Sequence, residues 1–409
     1  MRILHTSDWH LGQHLMMNDR KREHELFLDW LIECLQNKAI DVLIVAGDIF
    51  DTGTPPNYAL QLYYNFLHRI TETPCRQAII IGGNHDSVST LHAPKELLKF
   101  FRVHVIGGMS GNLDDEIIVI HGPDGNAQGI ICAVPYLRDR DIRQSLPGES
   151  YEDKSRALLD GVKSHYQQLK TRALTLRENA TKSGWIMPLI TTGHLFTAGG
   201  QTSDGVRDIY VGSLGQVHAS SFPTEFDYVA LGHLHKPQNV GGYEHIRYSG
   251  SPIALSFSEA ETGKEIVIVD FDDVSTRPQI EAVPIPEFQK LRRLKGNFDQ
   301  ITEKLKTLDY PDNGDRIWAE VTIDTEDWVP EVQNTISAMA EGYPVDILAV
   351  KNIRAFGKRI LNQGQKRETL QELTPIDVFR KRLEAEEGID EKIAEDLLHA
   401  FNEIQSGLF

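Results

Sequence analysis

Short apolar runs alternate with helix-spaced segments along the first part of the chain. RILHTSD, DVLIVAGD and QAIIIGGNHD each read as a buried strand ending in polar residues. Between them, residues 21–37 and 57–70 carry apolar positions at helical spacing. Strand, helix, strand, helix predicts βαβ units and a largely parallel sheet. After residue 115 the pattern turns β-rich, with EIIVIHG, GIICAVP, MPLITTGH, FDYVALGH, IRYSG and EIVIVDF. Residues 151–180, long, polar and helical, are the exception. The fold class expected is α/β, a two-sheet sandwich over residues 1–272. DDVSTRPQIEAVPIPE (272–287) holds three prolines and little periodicity, so it reads as a linker. Residues 273–353 predict a small α+β domain, with a helix near 298–308, strand RIWAEVTI, helix VPEVQNTISAMA and strand VDILAV. A basic linker (354–374) and a C-terminal helical tail (375–409) broken at Gly388 complete the organisation.

The 409 residues carry 42 basic and 59 acidic side chains, a formal charge of −17. A protein that grips nucleic acid unaided is usually basic, because phosphate neutralisation supplies most of the affinity. If this chain acts on nucleic acid, bound metal, a local basic patch or a partner must supply positive charge. Residues 351–367 hold six basic residues and no acidic one, and read as a solvated linker or as a contact to nucleic acid or a partner. No run reaches the ~18 apolar residues a membrane helix needs. No signal-peptide core follows Met1-Arg2, and the three cysteines lack CxxC spacing, so a reducing cytoplasm is expected. GxxxxGK[ST] is absent, since Gly263-Lys264 is followed by Glu265; no Walker-type nucleotide site is expected.

Each strand ends in a polar cluster: Asp8-Trp9-His10, Gly47-Asp48-Ile49-Phe50-Asp51, Gly83-Asn84-His85-Asp86, Gly193-His194 and Gly232-His233-Leu234-His235. Ligand sites in open α/β sheets lie beyond the carboxyl ends of strands. Asp8, His10, Asp48, Asn84, His194, His233 and His235 would therefore meet in one cleft. Carboxylate, amide oxygen and imidazole without thiolate suit manganese, iron or zinc. Seven donors exceed the needs of one ion and match two, with one carboxylate bridging. Two ions ~3.5–4 Å apart hold a phosphate and stabilise attacking and leaving oxygens. Singly, each cluster is an ordinary turn; in this order they predict a two-metal phosphoesterase site.

These clusters match the calcineurin-like metallophosphoesterase superfamily. HTSDWHLG, VAGDIFDTG, GNHDS, TTGH, VRDIYVGS, YVALGHLH and YSGSPIALSFSE resemble its SbcD branch, similar to the Mre repair nucleases. The resemblance implies one ion on Asp8, His10, Asp48 and His235, and another on Asp48, Asn84, His194 and His233. His85 would be catalytic without being a ligand, and Asp51 would orient it; Asp51 and Asp86 read equally well as turn caps. It further implies Mn2+, 3′→5′ exonuclease action on duplex DNA and endonuclease action on single strands or hairpins. The implied partner is an SMC-like SbcC-type ATPase in a two-plus-two heterotetramer, docked by the C-terminal helices. Segment 57–70 is apolar on more than one face, which suits a core helix or a homodimer contact; the resemblance favours the dimer. The rivals are a small-molecule phosphodiesterase or nucleotidase and a non-catalytic scaffold.

Overall fold

The structure, a computed structural model, describes residues 1–352 except 144–147, 181–186, 198–199, 201–216, 273–274, 313 and 325–328. Beyond 352 it describes only Ile376, Phe379, Leu397, Leu398, Ala400 and Phe401. The chain divides into two compact units at Leu291/Arg292.

The first unit opens with β1 (Arg2–Thr6), the hairpin β2 (His14–Leu15) and β3 (Asn18–Asp19), α1 (Lys21–Asn37), β4 (Val42–Ala46), α2 (Asn57–Ile70), β5 (Gln77–Ile81), α3 (Val88–His92), α4 (Lys95–Phe100) and β6 (Val103–Ile106). It continues through β7 (Ile117–His121), β8 (Ala127–Cys132), α5 (Asp139–Ile142), α6 (Tyr151–Ala180), β9 (Leu189–His194), β10 (Tyr228–Gly232), β11 (Gln238–Val240), β12 (Tyr243–Tyr248), β13 (Glu265–Asp270) and β14 (Gln279–Pro284). Two six-stranded sheets result, ordered β14-β13-β1-β4-β5-β6 and β11-β12-β10-β9-β8-β7. β1, β4, β5 and β6 run parallel in the first sheet, as do β8, β9, β10 and β12 in the second.

Alternation along the strands builds the layers. Val42, Ile44 and Ala46 of β4 join Ile79, Ile81, Ile120, Ile131 and Ile190 in an apolar layer between the sheets. Leu43 and Val45, on the other face, pack with Phe27 and Leu31 of α1 and Phe66 and Ile70 of α2. Outside the second sheet, Ile130, Leu189 and Leu231 pack with Val162, Tyr166 and Leu169 of α6. Helix, sheet, sheet, helix is the order of layers. Strands buried on both faces read as continuous apolar runs, which is why DVLIVAGD was legible.

The segment read as a linker behaves differently. β14 pairs with β13 from Glu265↔Pro284 to Asp270↔Gln279, so the first unit extends to Leu291 rather than 272. β14 is an edge strand with mostly exposed side chains and a proline at its end, so neither apolar periodicity nor the absence of proline marked it.

The second unit is a three-stranded sheet, β15 (Leu291–Gly296), β16 (Ile317–Ile323) and β17 (Val345–Asn352), with α7 (Phe298–Thr307) and α8 (Val329–Ala340). Ile301, Leu305, Ile317, Val321 and Ile336 form its core. The basic linker 354–374 lies outside the described residues. Of the C-terminal helical segments, the described Phe379 and Phe401 stack on one another, with centroids 4.2 Å apart. Among the described residues no helix is long and apolar enough to cross a membrane.

Candidate metal centre

Residues following β1, β4, β5 and β10, with His194 at the end of β9, converge at the carboxyl ends of the parallel strands. Four of the expected donors sit in the left-handed backbone region: Asp8 (φ 54°), His10 (φ 47°), Asp48 (φ 50°) and His233 (φ 105°). Non-glycine residues there are strained by about 1–3 kcal/mol and persist only where surroundings fix them. Backbone bonds do the fixing. Asp8 N–H donates to Gly47 O (2.9 Å), His10 N–H to Asp48 O (3.0 Å) and Leu11 N–H to Ile49 O (2.9 Å). Two glycines allow the close approach: a Cβ at Gly83 would fall 2.1 Å from Asp48 Oδ1, and one at Gly232 would fall 1.9 Å from Ala46 O.

Asp48 stands at the middle. Its Oδ2 lies 3.3 Å from His194 Nε2 and 3.6 Å from His10 Nε2, and its Oδ1 accepts from His85 N–H at 2.9 Å. Asp8 accepts from His233 N–H (2.9 Å to Oδ1) and from the Ser7 hydroxyl. His194 Nδ1–H donates to Ala46 O (3.0 Å), which turns Nε2 toward Asp48 and toward Asn84 Oδ1 at 3.0 Å. The His194 and His233 rings lie edge to face, 5.4 Å between centroids. His235 Nδ1 meets Glu259 Oε1 at 3.0 Å. Donor atoms of Asp8, His10 and His235 lie within 4.8 Å of one another, as do those of Asp8, Asp48 and His194. Asp8 thus belongs to two of three such groups among the described residues, the third being His10, Asp51 and His85, whereas the resemblance placed Asp8 with one ion and made neither Asp51 nor His85 a ligand.

Charge and burial fit a cation here. Burial would raise the Asp48 carboxyl, but His194, His85 and His10 hold it well below the usual carboxylate range. Burial pulls His194 down, yet the Asp48 carboxylate outweighs it and lifts the imidazole to about 9. His233 is driven well below the usual range by burial and then by its neighbour His194. His10 Nε2 is buried with no hydrogen-bond partner while its Nδ1 meets Asp51 Oδ1 at 3.2 Å. A buried unpaired imidazole nitrogen among carboxylates and further imidazoles, with no thiolate, matches the needs of a divalent ion.

His85 Nδ1–H donates to the backbone carbonyl of Asp51 (2.7 Å), while the Asp51 carboxylate meets His10. His10 and His85 stand edge to face, 4.7 Å between centroids. Asp86 is a turn cap: it accepts N–H bonds from Ile49 (3.1 Å), Phe50 (3.0 Å) and Gly83 (2.9 Å). Burial, then the charge of Asp48, raises its carboxyl to about 6. Glu259 and Lys264 were not foreseen. Glu259 lies within the YSGSPIALSFSE segment, but nothing in its spacing distinguishes it from a surface acid. VRDIYVGS lies outside the described residues.

Residues 1–237 match the family model for calcineurin-like phosphoesterases, and residues 287–387 match one described as type 5 capsule protein repressor C-terminal domain. The chain is 40 % identical to the SbcD subunit of the SbcCD nuclease of Escherichia coli (strain K12), over 98 % of this chain and 97 % of that protein. It is 33 % identical to the Rhodobacter capsulatus protein of the same name over 84 % of this chain and 85 % of that one. With the Bacillus subtilis (strain 168) protein of that name it shares 36 % identity over 66 % of each chain. The chain belongs to the calcineurin-like phosphoesterases and, within them, to the SbcD family of SbcCD nuclease subunits.

Proposed function

We propose that the chain is the metal-dependent DNA nuclease subunit of an SbcCD-type complex. The observation that carries this reading is Asp48 Oδ2, set 3.3 Å from His194 Nε2 and 3.6 Å from His10 Nε2, a buried nitrogen without a hydrogen bond. A carboxylate in that place would be shared by two divalent ions, which Asp8, His10 and His235 would hold on one side and Asn84, His194 and His233 on the other. When bound, such ions, by resemblance Mn2+, supply Lewis acidity and an activated water. The chain's own residues do the rest. Asp48 and Asp8 fix the spacing of the donors through the backbone bonds they accept. His85, pinned through Nδ1 by the Asp51 carbonyl, acts on the scissile phosphate, where it hydrogen-bonds developing charge or protonates the leaving oxygen.

The substrate is DNA, cut 3′→5′ from duplex ends and endonucleolytically in single strands and hairpins. The net charge of −17 leaves the phosphates to be gripped by metal and by a partner. That partner is an SMC-like ATPase of SbcC type in a two-plus-two assembly, with the second unit as a DNA-contacting cap and the C-terminal helices as dock. The nuclease units pair as a homodimer, and the complex works in the cytoplasm. A hairpin-ended duplex, incubated with the chain, its ATPase partner, ATP and Mn2+, tests this. Metal-dependent opening of the hairpin is expected. Hydrolysis of bis(p-nitrophenyl) phosphate with no cleavage of any DNA would select a small-molecule phosphodiesterase instead.

A further inference from the structure

We infer that Glu259 is a positioning residue for the ion on the Asp8, His10 and His235 side, acting through His235, with Lys264 as its fixed counter-charge. This rests on the two-ion reading above. His235 follows β10 of the second sheet, whereas Lys264 immediately precedes β13 of the first. Glu259 joins them. Its Oε1 takes His235 Nδ1–H at 3.0 Å; its Oε2 accepts from Lys264 Nζ (2.6 Å), Leu255 N–H (3.1 Å) and Ser251 Oγ (3.3 Å). Lys264 Nζ also donates to the His235 carbonyl (3.0 Å) and to Ser251 Oγ (2.8 Å). The ring and the backbone of His235 are therefore held by one network. Glu259 is 1 % exposed and the Lys264 side chain 8 %.

A buried carboxylate and ammonium cost several kcal/mol each to desolvate, so a pair of this kind is poor evidence of stability for its own sake. Its position gives it a second use. An imidazole ligand needs its remote N–H fixed so that the other nitrogen presents its lone pair, and a carboxylate on that N–H also makes the ligand more basic. Glu259 fixes that N–H for His235, leaving the other ring nitrogen toward Asp8 and His10. His194, on the opposite side, has only the neutral Ala46 carbonyl on Nδ1. His235 and His194 thus differ in the charge behind their imidazoles, and removing Glu259 should loosen the ion on the His235 side and spare the other.

Glu259→Gln keeps the volume but removes the charge, and leaves Lys264 buried without a carboxylate. Glu259→Gln/Lys264→Met removes both charges and retains the packing, so it guards against a folding defect. Mn2+ binding to the full chain, followed by electron spin resonance titration alongside circular dichroism unfolding, is the test. In both variants one ion should bind about 10–100-fold more weakly, the usual effect of losing such a partner, while the second keeps its affinity. Two ions bound with wild-type affinity by the folded double variant would overturn the role of Glu259, as would equal weakening of both. A wild-type chain that binds no Mn2+ would instead overturn the two-ion reading itself.

Discussion

The two compact units are built by the same packing rules and differ in what their strands bury. In the first, Asp8, His10, Asp48, His194, His233 and His235 are each at most 3 % exposed, gathered where strands end. In the second, the buried polar side chains among the described residues are Glu320 and Asn352, and Glu320 is answered by Lys351 Nζ at 2.6 Å. Burying a polar group without full compensation costs a few kcal/mol, and a charge costs more. The first unit bears that cost six times within one cluster and adds positive φ at four of the same residues. No described non-glycine residue of the second unit has positive φ. Desolvated charge and strained backbone at one end of a well-packed sandwich mark the place of chemistry; the second unit shows what the same kind of strand looks like when packing is its task.

The harshest way to break this contrast is to remove Asp48. Asp48→Ala takes the central carboxylate from both sides, so both ions should be lost and hydrolysis should fall to background. Elemental analysis finding two metals retained per chain would refute the bridging assignment. His85→Gln sharpens the contrast by separating chemistry from metal binding. Metal content should match wild type while hydrolysis falls by ~10²–10⁴, the usual size of a lost acid–base contribution. Loss of metal in this variant would place His85 among the ligands.

The donors were legible because each follows an apolar run and is chemically conspicuous: Asp48 after DVLIVA, His194 after LITT, His233 and His235 after YVAL. What each group does was less legible, since a residue's type does not reveal which of its atoms acts. Asp51 was expected to orient His85, and it offers His85 its backbone carbonyl while its carboxylate turns to His10. Glu259 stands 24 residues after His235, on a turn without periodicity, so only the folded chain brings it to the imidazole. β14 and β15 were missed because an exposed edge strand and LRRLKG carry too few apolar positions to show a period.

A milder break comes from acid. His5 is buried between the sheets, with Nε2–H donating to Leu231 O (3.2 Å) and Nδ1 accepting from the Tyr228 hydroxyl (3.0 Å). Burial drives this imidazole down to about 3, helped slightly by the charge of Arg247. The unfolded chain takes up a proton near pH 6.5, and the folded one does so only near 3. Stability from His5 is therefore present above pH 6.5 and is lost as pH falls toward 3, by up to about 1.4 kcal/mol per pH unit. Urea unfolding at pH 7, 6 and 5 should show this decline, and His5→Gln should flatten it. An unchanged slope in the variant would show that other groups govern the acid limb.

The smallest expected effect probes the second unit alone. α7 starts with a reciprocal cap: Asn297 Oδ1 accepts from Gln300 N–H and Gln300 Oε1 from Asn297 N–H, both at 2.9 Å. The cap satisfies two backbone donors at the helix start, where no intrahelical acceptor exists. Asn297→Ala should cost about 1 kcal/mol, and Asn297→Ser, which keeps an acceptor, should recover most of it. The loss belongs to packing around Ile301 and Leu305, not to the centre, so Mn2+ affinity should stay at the wild-type value while thermal unfolding shifts by a few degrees. Mn2+ affinity falling in step with the lost stability would break the comparison, because the second unit would then be helping to hold a site whose described donors all belong to the first.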